Sequence, residues 1–284
     1  MKFQKFHGAG NDFLIADDRD EAIWLDADMI RHICRRHIGF GADGLILLKN
    51  SPDADFEMVF YNPDGTTGMM CGNGGRCAVA FAETLGLGTP GKDGTSFRFE
   101  AVDGIHDAQI LMHDGDRSLV RISIPDVAGI RKLGDDEYFV KDGTNHYVRF
   151  VPYVHRLDVV HEGRLVRYSE QFAPEGTNAD FVSDDGIVLA VRTYERGVED
   201  ETLACGTGIV AAALAGYIRR GSEMDGKKHS IVVHARIANL RVEFVPHAGG
   251  AFSDIWLTGP AEYVGEVSTS DSFFAADTKE ANKD

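Results

Sequence analysis

The chain has 284 residues, 43% of them hydrophobic, so it can bury one large core or two of ordinary size. Its formal net charge of −16 argues against binding to a nucleic-acid backbone or an anionic membrane surface. The first residues lack the apolar h-region expected of a signal peptide, and no apolar run approaches membrane-spanning length. We therefore expect a cytoplasmic protein with reduced cysteines and a small-molecule partner.

The first half of the sequence predicts strands and two helices. A strand, a glycine turn over residues 7–12 and a second strand open the chain, and a helix follows over residues 28–37. A second helix is predicted over roughly residues 74–84, after a glycine-rich segment. Further strands are predicted at residues 45–48, 56–62, 96–99, 106–112 and 119–124.

The second half repeats this order. A helix is predicted over about residues 208–220, and the tail after residue 268 is polar. Strands are predicted at residues 137–140, 147–151, 186–193, 230–235, 240–245 and 254–258. We expect an α+β fold of two pseudo-symmetric domains, residues 1–120 and 121–260, each a mostly antiparallel, barrel-like sheet wrapped around a central helix.

A short cysteine motif occurs once in each half. Cys71-Gly72-Asn73-Gly74 and Cys205-Gly206-Thr207-Gly208 each precede a run of small apolar residues. A thiol at a helix N-terminus meets unpaired N–H groups and the positive end of the helix dipole, which lower a cysteine pKa. The glycines let several N–H groups approach an anion. Two matched thiols fit a reaction that removes a proton from one face of a carbon and returns it to the other.

Other interpretations of the cysteines differ in strength. Cys34 and Cys77 lie on apolar helix faces and are expected to pack in the core. Zinc is disfavoured because there is no Cys-x-x-Cys pair and no histidine at ligand spacing. A hydrolytic nucleophile would not explain a second matched cysteine, and a redox disulfide would leave the glycine cradle without a purpose. Arg76, inside the first motif, is interpreted as a helix-surface residue rather than an anion ligand.

Several collinear motifs resemble the diaminopimelate epimerase family, and the resemblance runs over nearly the whole chain. The matching segments are His7-Gly8-Ala9-Gly10-Asn11-Asp12-Phe13, Asn62-Pro63-Asp64-Gly65, the first cysteine motif through Cys77, Thr177-Asn178-Ala179-Asp180-Phe181-Val182, Tyr194-Glu195-Arg196-Gly197 and Ala204-Cys205-Gly206-Thr207-Gly208.

The resemblance implies a cofactor-independent interconversion of LL- and meso-diaminopimelate, a step toward lysine and, in many bacteria, the peptidoglycan cross-link. It implies an active site in the cleft between two domains, a homodimer, and the return of residues 261–284 to the first domain. Cys71 and Cys205 would be the acid–base pair, with neither metal nor cofactor. The implied substrate-binding residues are Asn11, Asn62, Gly72, Asn73, Asn178, Glu195, Arg196, Gly206 and Thr207.

Two positions depart from the family pattern. Gly44 stands where the family often has a glutamine, and Thr144 stands where an asparagine is expected, followed by Asn145 and His146. These departures concern substrate selectivity, and they make a related amino-acid racemase the main alternative. A thiol–disulfide oxidoreductase and a non-catalytic binding protein are alternatives from other classes.

Overall fold

The computed structural model describes residues 1–270 and 273, which fall into two compact units. Unit 1 comprises Met1–Val120 and the described residues from Ala261 onward, and unit 2 comprises Arg121–Pro260. Within the polar tail and the predicted C-terminal return, residues 271, 272 and 274–284 lie outside the described residues. None of the helices in the described part of the chain has the length and apolar character needed to cross a membrane.

Unit 1 contains two helices, α1 (Ala27–Cys34) and α2 (Gly72–Thr84). Its strands are β1 (Lys2–Gly8), β2 (Asn11–Asp17), β3 (Gly44–Lys49), β4 (Phe56–Tyr61), β5 (Thr89–Gly91), β6 (Gly94–Ala101) and β7 (Gly104–Asp114). Two further strands, β8 (Arg117–Ile124) and β17 (Ala251–Ser268), each contribute residues to both units.

Three antiparallel hairpins build the sheet of unit 1. They are β1–β2, β3–β4 and β6–β7, and parallel pairings join β2 to β3 and β4 to β6. Helix α2 packs against β1, β2, β3, β4 and β7. Residues 72–82 of this helix are all buried, because its many Gly and Ala residues let the strands approach on every side.

Unit 2 also contains two α-helices, α3 (Val159–Arg167) and α4 (Gly206–Arg219). Its strands are β9 (Arg131–Gly134), β10 (Glu137–Lys141), β11 (Asn145–Phe150), β12 (Asn178–Asp184), β13 (Leu189–Glu195), β14 (Asp200–Thr202), β15 (His229–His234) and β16 (Asn239–His247).

The strand pairing of unit 2 repeats that of unit 1. The hairpins β10–β11, β12–β13 and β15–β16 are antiparallel, and parallel pairings join β11 to β12 and β13 to β15. Helix α4 packs against β10, β11, β12, β13, β15 and β16, as α2 packs within unit 1. The predicted α+β class, with a helix central to the sheet of each unit, is confirmed.

Several predicted boundaries were wrong. The turn after β1 contains only Ala9 and Gly10, both at positive φ, so residues 11 and 12 already belong to β2. Helix α1 ends at Cys34 rather than at residue 37, where His37 has a φ of 76°. Helices α2 and α4 begin two residues earlier than expected, at Gly72 and Gly206. Helix α3 and strand β12 were not predicted.

Candidate active site

The two motif cysteines occupy equivalent backbone positions. Cys71 is the N-cap of α2, with φ −111° and ψ 116°, and Cys205 is the N-cap of α4, with φ −106° and ψ 117°. Neither helix has a side-chain cap. The first N–H groups of an α-helix lack partners within the helix, so each thiol stands beside donors suited to an anion. Gly72, Asn73, Gly206 and Thr207 supply the first two of these N–H groups in each unit.

Asn11 connects the turn of unit 1 to the start of α2. Its Oδ1 accepts from the Cys71 thiol at 3.6 Å and from Asn73 Nδ2 at 3.5 Å. Its own amide donates to Asp43 Oδ2 at 2.7 Å, which fixes which end of the Asn11 side chain faces the cysteine. The structure therefore brings three of the predicted residues together in this unit.

Arg76 is completely buried, so the prediction that it lies on the helix surface was wrong. Its Nη2 donates to Asn73 Oδ1 at 2.6 Å, one turn earlier in α2. The pattern around Arg76 is misleading because every side of this helix is covered by strands, so no position in its centre is a surface position. The buried guanidinium holds the side chain of Asn73 next to Asn11.

Gly44, at the start of β3, is buried beneath an aromatic ring. A Cβ at this position would lie 2.2 Å from Cε2 of Phe60 and 2.9 Å from the carbonyl oxygen of Tyr61. The ring of Phe60 thus occupies the space into which a side chain at residue 44 would project. Asn62, just beyond the same strand as Phe60, is half-buried and donates to Thr66 Oγ1 at 3.0 Å.

In unit 2, Thr207 connects Cys205 to His146. The Thr207 hydroxyl lies 3.5 Å from Cys205 Sγ and 2.9 Å from His146 Nε2. Thr144 Oγ1 lies 2.8 Å from the same ring nitrogen and donates to Thr207 at 3.3 Å. The structure therefore brings Thr144, His146, Thr207 and Cys205 into one group.

The remaining predicted residues of unit 2 lie around this group, with Asn178 Nδ2 3.4 Å from His146 Nε2. Asn178 Oδ1 accepts from the backbone N–H of Arg196 at 2.8 Å, and its amide donates to the carbonyl of Asn145 at 3.1 Å. The Arg196 guanidinium donates to the carbonyl of Glu175 at 3.0 Å. Glu195 Oε2 accepts from Thr202 at 2.9 Å. Asn145 points to Glu175 and Gly176, so it is Thr144 that reaches the start of α4.

The thiol of Cys205 does not have the lowered pKa that its helix position predicts. Burial raises its pKa well above the usual value, and the charges of Glu195 and Asp180 raise it further. The Thr207 hydroxyl and the Gly208 N–H act in the opposite direction but do not outweigh them. The dipole argument failed here because it considered the helix end without the burial of the thiol and without the carboxylates that the other strands bring to it.

Cys34 and Cys77 are buried, as predicted. Burial raises the pKa of Cys34 to about 12 and that of Cys77 further still. Both thiols therefore remain protonated and unreactive at neutral pH.

Sequence reasoning missed three residues that hold His146. Asp180 Oδ2 lies 2.7 Å from His146 Nδ1, Thr193 donates to Asp180 Oδ1 at 2.7 Å, and Asp142 Oδ1 lies 3.7 Å from His146 Nε2. Asp180 belongs to the same motif as Asn178, which was the residue that the sequence analysis singled out. Because the two residues are two positions apart on β12, strand alternation would have placed their side chains on one face. Asp142 gave no signal, because an Asp-Gly pair is typical of a turn.

The fold is shared with solved structures of low sequence identity. The PhzF-family phenazine biosynthesis protein of Bacillus anthracis superposes with a TM-score of 0.70 at 14% identity, covering 95% of this chain and 99% of that one. A probable proline racemase from Agrobacterium radiobacter gives 0.68 at 18% identity, covering 96% and 94%. The class is therefore the two-domain α+β fold that PhzF-family and racemase structures share.

Sequence comparison narrows the class to one family of isomerases. The family model described as diaminopimelate epimerase matches residues 3–120 and 138–264. The diaminopimelate epimerase of Flavobacterium psychrophilum is 40% identical over 271 residues, which is 94% of this chain and 99% of that protein. The chain belongs to the diaminopimelate epimerase family.

Proposed function

We propose that the chain interconverts LL- and meso-diaminopimelate by a two-base mechanism, with Cys71 and Cys205 acting on opposite faces of one α-carbon. The observation that carries this proposal is the equivalence of the two cysteines as N-caps of α2 and α4, each at the centre of a unit with the same strand order. Stereoinversion needs an acid and a base of the same kind, because each exchanges role with the other in the reverse reaction.

The helix starts supply the electrostatic stabilisation. Removing the α-proton of an amino acid builds negative charge on its carboxylate, and preorganised N–H donors stabilise that charge without moving. The N–H groups of Gly72, Asn73, Gly206 and Thr207 are such donors in this chain. They bind the carboxylate at the reacting centre.

The thiols divide the proton transfer between them. With its pKa raised, Cys205 carries its proton in the resting protein, so it returns a proton to the carbanion. Cys71 is less buried than Cys205, and as the thiolate it takes the α-proton. When the opposite stereoisomer reacts, the two thiols exchange these roles.

The distal end of the substrate carries a second ammonium and a second carboxylate. Glu195 complements the ammonium, and Arg196 binds the carboxylate through two parallel N–H donors. The side-chain amides of Asn11, Asn62 and Asn178 complete the recognition. Asn145, which hydrogen-bonds to Gly176, supports this end, whereas Thr144 and His146 stand beside Thr207 at the start of α4, and Gly44 offers only backbone.

The chain acts without metal or cofactor, as a homodimer in the cytoplasm, in a pathway to lysine and a peptidoglycan precursor. A reducing compartment fits the four free cysteines, two of which must be able to ionise.

The test is incubation of the reduced protein with LL-diaminopimelate in deuterated water. We expect deuterium at one α-carbon together with the meso isomer, measured by NMR and chiral chromatography. Absence of exchange with reduced thiols would overturn the assignment of substrate. The same assay over a panel of amino acids then tests the alternative function, a related amino-acid racemase. The Phe60 ring over Gly44 favours this alternative, because the ring lies where an amide side chain was expected.

A further inference from the structure

A buried imidazole lies between two carboxylates behind the start of α4. The side chains of His146, Asp142 and Asp180 all have zero solvent exposure. His146 Nδ1 lies 2.7 Å from Asp180 and Nε2 lies 3.7 Å from Asp142. Thr193 Oγ1 donates to Asp180 Oδ1 at 2.7 Å, which fixes the carboxylate on the Nδ1 side of the His146 ring.

The carboxylates keep this ring charged. Burial alone would lower the pKa of His146, but Asp180, Asp142 and Glu195 outweigh it and the pKa rises to about 9. Burial raises the pKa of Asp142 to about 7, although the charge of His146 opposes this. Between these two values the ring is a cation and Asp142 is ionised.

A charged ring fixes the direction of the hydrogen bonds around it. An imidazolium has a hydrogen on both nitrogens and donates only. Its Nδ1–H points to Asp180, and its Nε2–H points to the hydroxyl oxygens of Thr144 and Thr207. Thr207 therefore accepts from the ring and keeps its own proton for another acceptor, and Cys205 Sγ stands 3.5 Å away. A neutral ring would instead accept the proton of Thr207 at Nε2.

We propose that Asp142 is a positioning residue for Cys205: it keeps His146 doubly protonated, so that Thr207 donates its hydroxyl proton to the Cys205 sulfur. The relay runs from Asp142 and Asp180 through His146 and Thr207 to the sulfur. It stabilises the thiolate of Cys205 against the nearby charges of Glu195 and Asp180. Its place in the reaction rests on the proposed function, in which Cys205 is one of the two reacting thiols.

The first measurement is the titration of the His146 ring in the full-length protein, followed by NMR of ¹³C,¹⁵N-histidine and assigned with His146→Gln. We expect the ring to be doubly protonated at pH 7. In Asp142→Asn we expect the midpoint to fall by about one pH unit, a tenfold weaker hold on the proton. A neutral ring at pH 7, or an unchanged midpoint in the variant, would overturn the proposal.

The second measurement is the rate of Cys205 alkylation against pH, with the peptide resolved by mass spectrometry. The relay predicts that Asp142→Asn lowers this rate about threefold at about pH 8.5, where the ring is largely charged in the parent and largely neutral in the variant. Loss of a negative charge acting on the sulfur directly would raise the rate instead. Asp18→Asn, which removes another fully buried carboxylate in unit 1, is the matched control and leaves the profile unchanged.

Thr207→Val separates the relay from the charge of the ring. In this background the relay is cut, so adding Asp142→Asn produces no further loss of alkylation rate at Cys205. The same loss in both backgrounds would show that charge alone acts, and it would overturn the role of Thr207. Where Asp142→Asn does not fold, Thr207→Val alone carries the test, with slower Cys205 alkylation at about pH 8.5 expected and an unchanged rate contradicting the relay.

Neither measurement uses a substrate. If diaminopimelate is not epimerised while both changes appear, the proposed function fails and the relay stands. If diaminopimelate is epimerised and the changes are absent, the relay fails and the function stands.

Discussion

Helices α2 and α4 begin with the same backbone conformation, but different residues supply the buried positive charge near each helix start. In unit 1 the buried cation belongs to the helix itself, because Arg76 stands five residues after Cys71. The equivalent position in α4 is Val210, and the cation of unit 2 comes instead from His146 on β11. The comparison teaches that the two units share the backbone geometry at the helix start, but that each places a buried positive charge near it from a different part of the fold.

The largest expected effect removes either thiol. Cys71→Ala and Cys205→Ala should each lower epimerisation by about 10³-fold or more, since each removes a general acid–base group for which the other cannot substitute. The measurement is the appearance of meso-diaminopimelate from the LL isomer. Cys34→Ala is the control and should retain activity, because that thiol lies in the core. Near-normal turnover in either the Cys71 or the Cys205 variant would contradict the proposal that the two thiols have equivalent acid–base roles.

The second effect compares Arg76 with Val210. Arg76→Ala should lower the free energy of unfolding by about 3 kcal/mol or more, because it leaves a large cavity and removes the donor to Asn73. Val210→Ala removes far less volume and no hydrogen bond, so its cost should be clearly smaller. Urea unfolding of both variants measures the difference. Equal costs would mean that the buried guanidinium is not a specific support of α2.

The third effect uses glycines at matching positions. A Cβ at Gly208 would lie 2.3 Å from Asp180 Oδ1, which His146 and Thr193 hold in place. A Cβ at Gly74 would lie 3.2 Å from the ends of the Ile46 and Met58 side chains, which can move. Gly208→Ala should therefore cost about 1–3 kcal/mol of stability, whereas Gly74→Ala should cost little or gain up to about 1 kcal/mol from helix propensity.

Thermal or urea unfolding of these two variants decides the point. If Gly208→Ala were as stable as Gly74→Ala, Asp180 would not be fixed as the structure indicates.

The smallest effect is the pH dependence of stability that two buried groups of unit 2 contribute. The pKa of Asp142 is raised from 3.8 to about 7, so the native protein binds this proton more tightly than the unfolded chain. The resulting stability is present below pH 3.8 and is lost as the pH rises through 7. His146, raised from 6.5 to about 9, contributes stability that is present below 6.5 and lost through 9.

The contribution of Asp142 can be isolated below about pH 5.5, where His146 is protonated in both states. Between about pH 4.5 and 5.5, Asp142→Asn should gain about 1 kcal/mol relative to the parent. Urea midpoints of the two proteins at both pH values give this difference. A constant difference would show that the native state does not hold the Asp142 proton.

Sequence reasoning predicted what depends on local pattern. The glycine motifs placed Cys71 and Cys205 at helix starts, and the apolar helix faces placed Cys34 and Cys77 in the core. Helix α3 was missed because it is short and its buried side consists only of Val159, Gly163 and the half-buried Val166, while the apolar side chains of Val160 and Leu165 are exposed and obscure the pattern. Arg76 and Asp142 were misjudged or missed because their burial depends on strands distant in sequence, which no local pattern contains.

The buried cations of the two units have a consequence for the ionic medium. Salt screens exposed charges within about 8 Å at physiological ionic strength, but it screens buried ones much less. A chain of net charge −16 therefore carries, at Arg76 and His146, two positive charges that dissolved ions cannot reach. The hydrogen bonds that Arg76 makes to Asn73 and His146 makes to Asp180 should consequently change little from dilute buffer to cellular salt, even as ion pairs on the negative outer surface weaken.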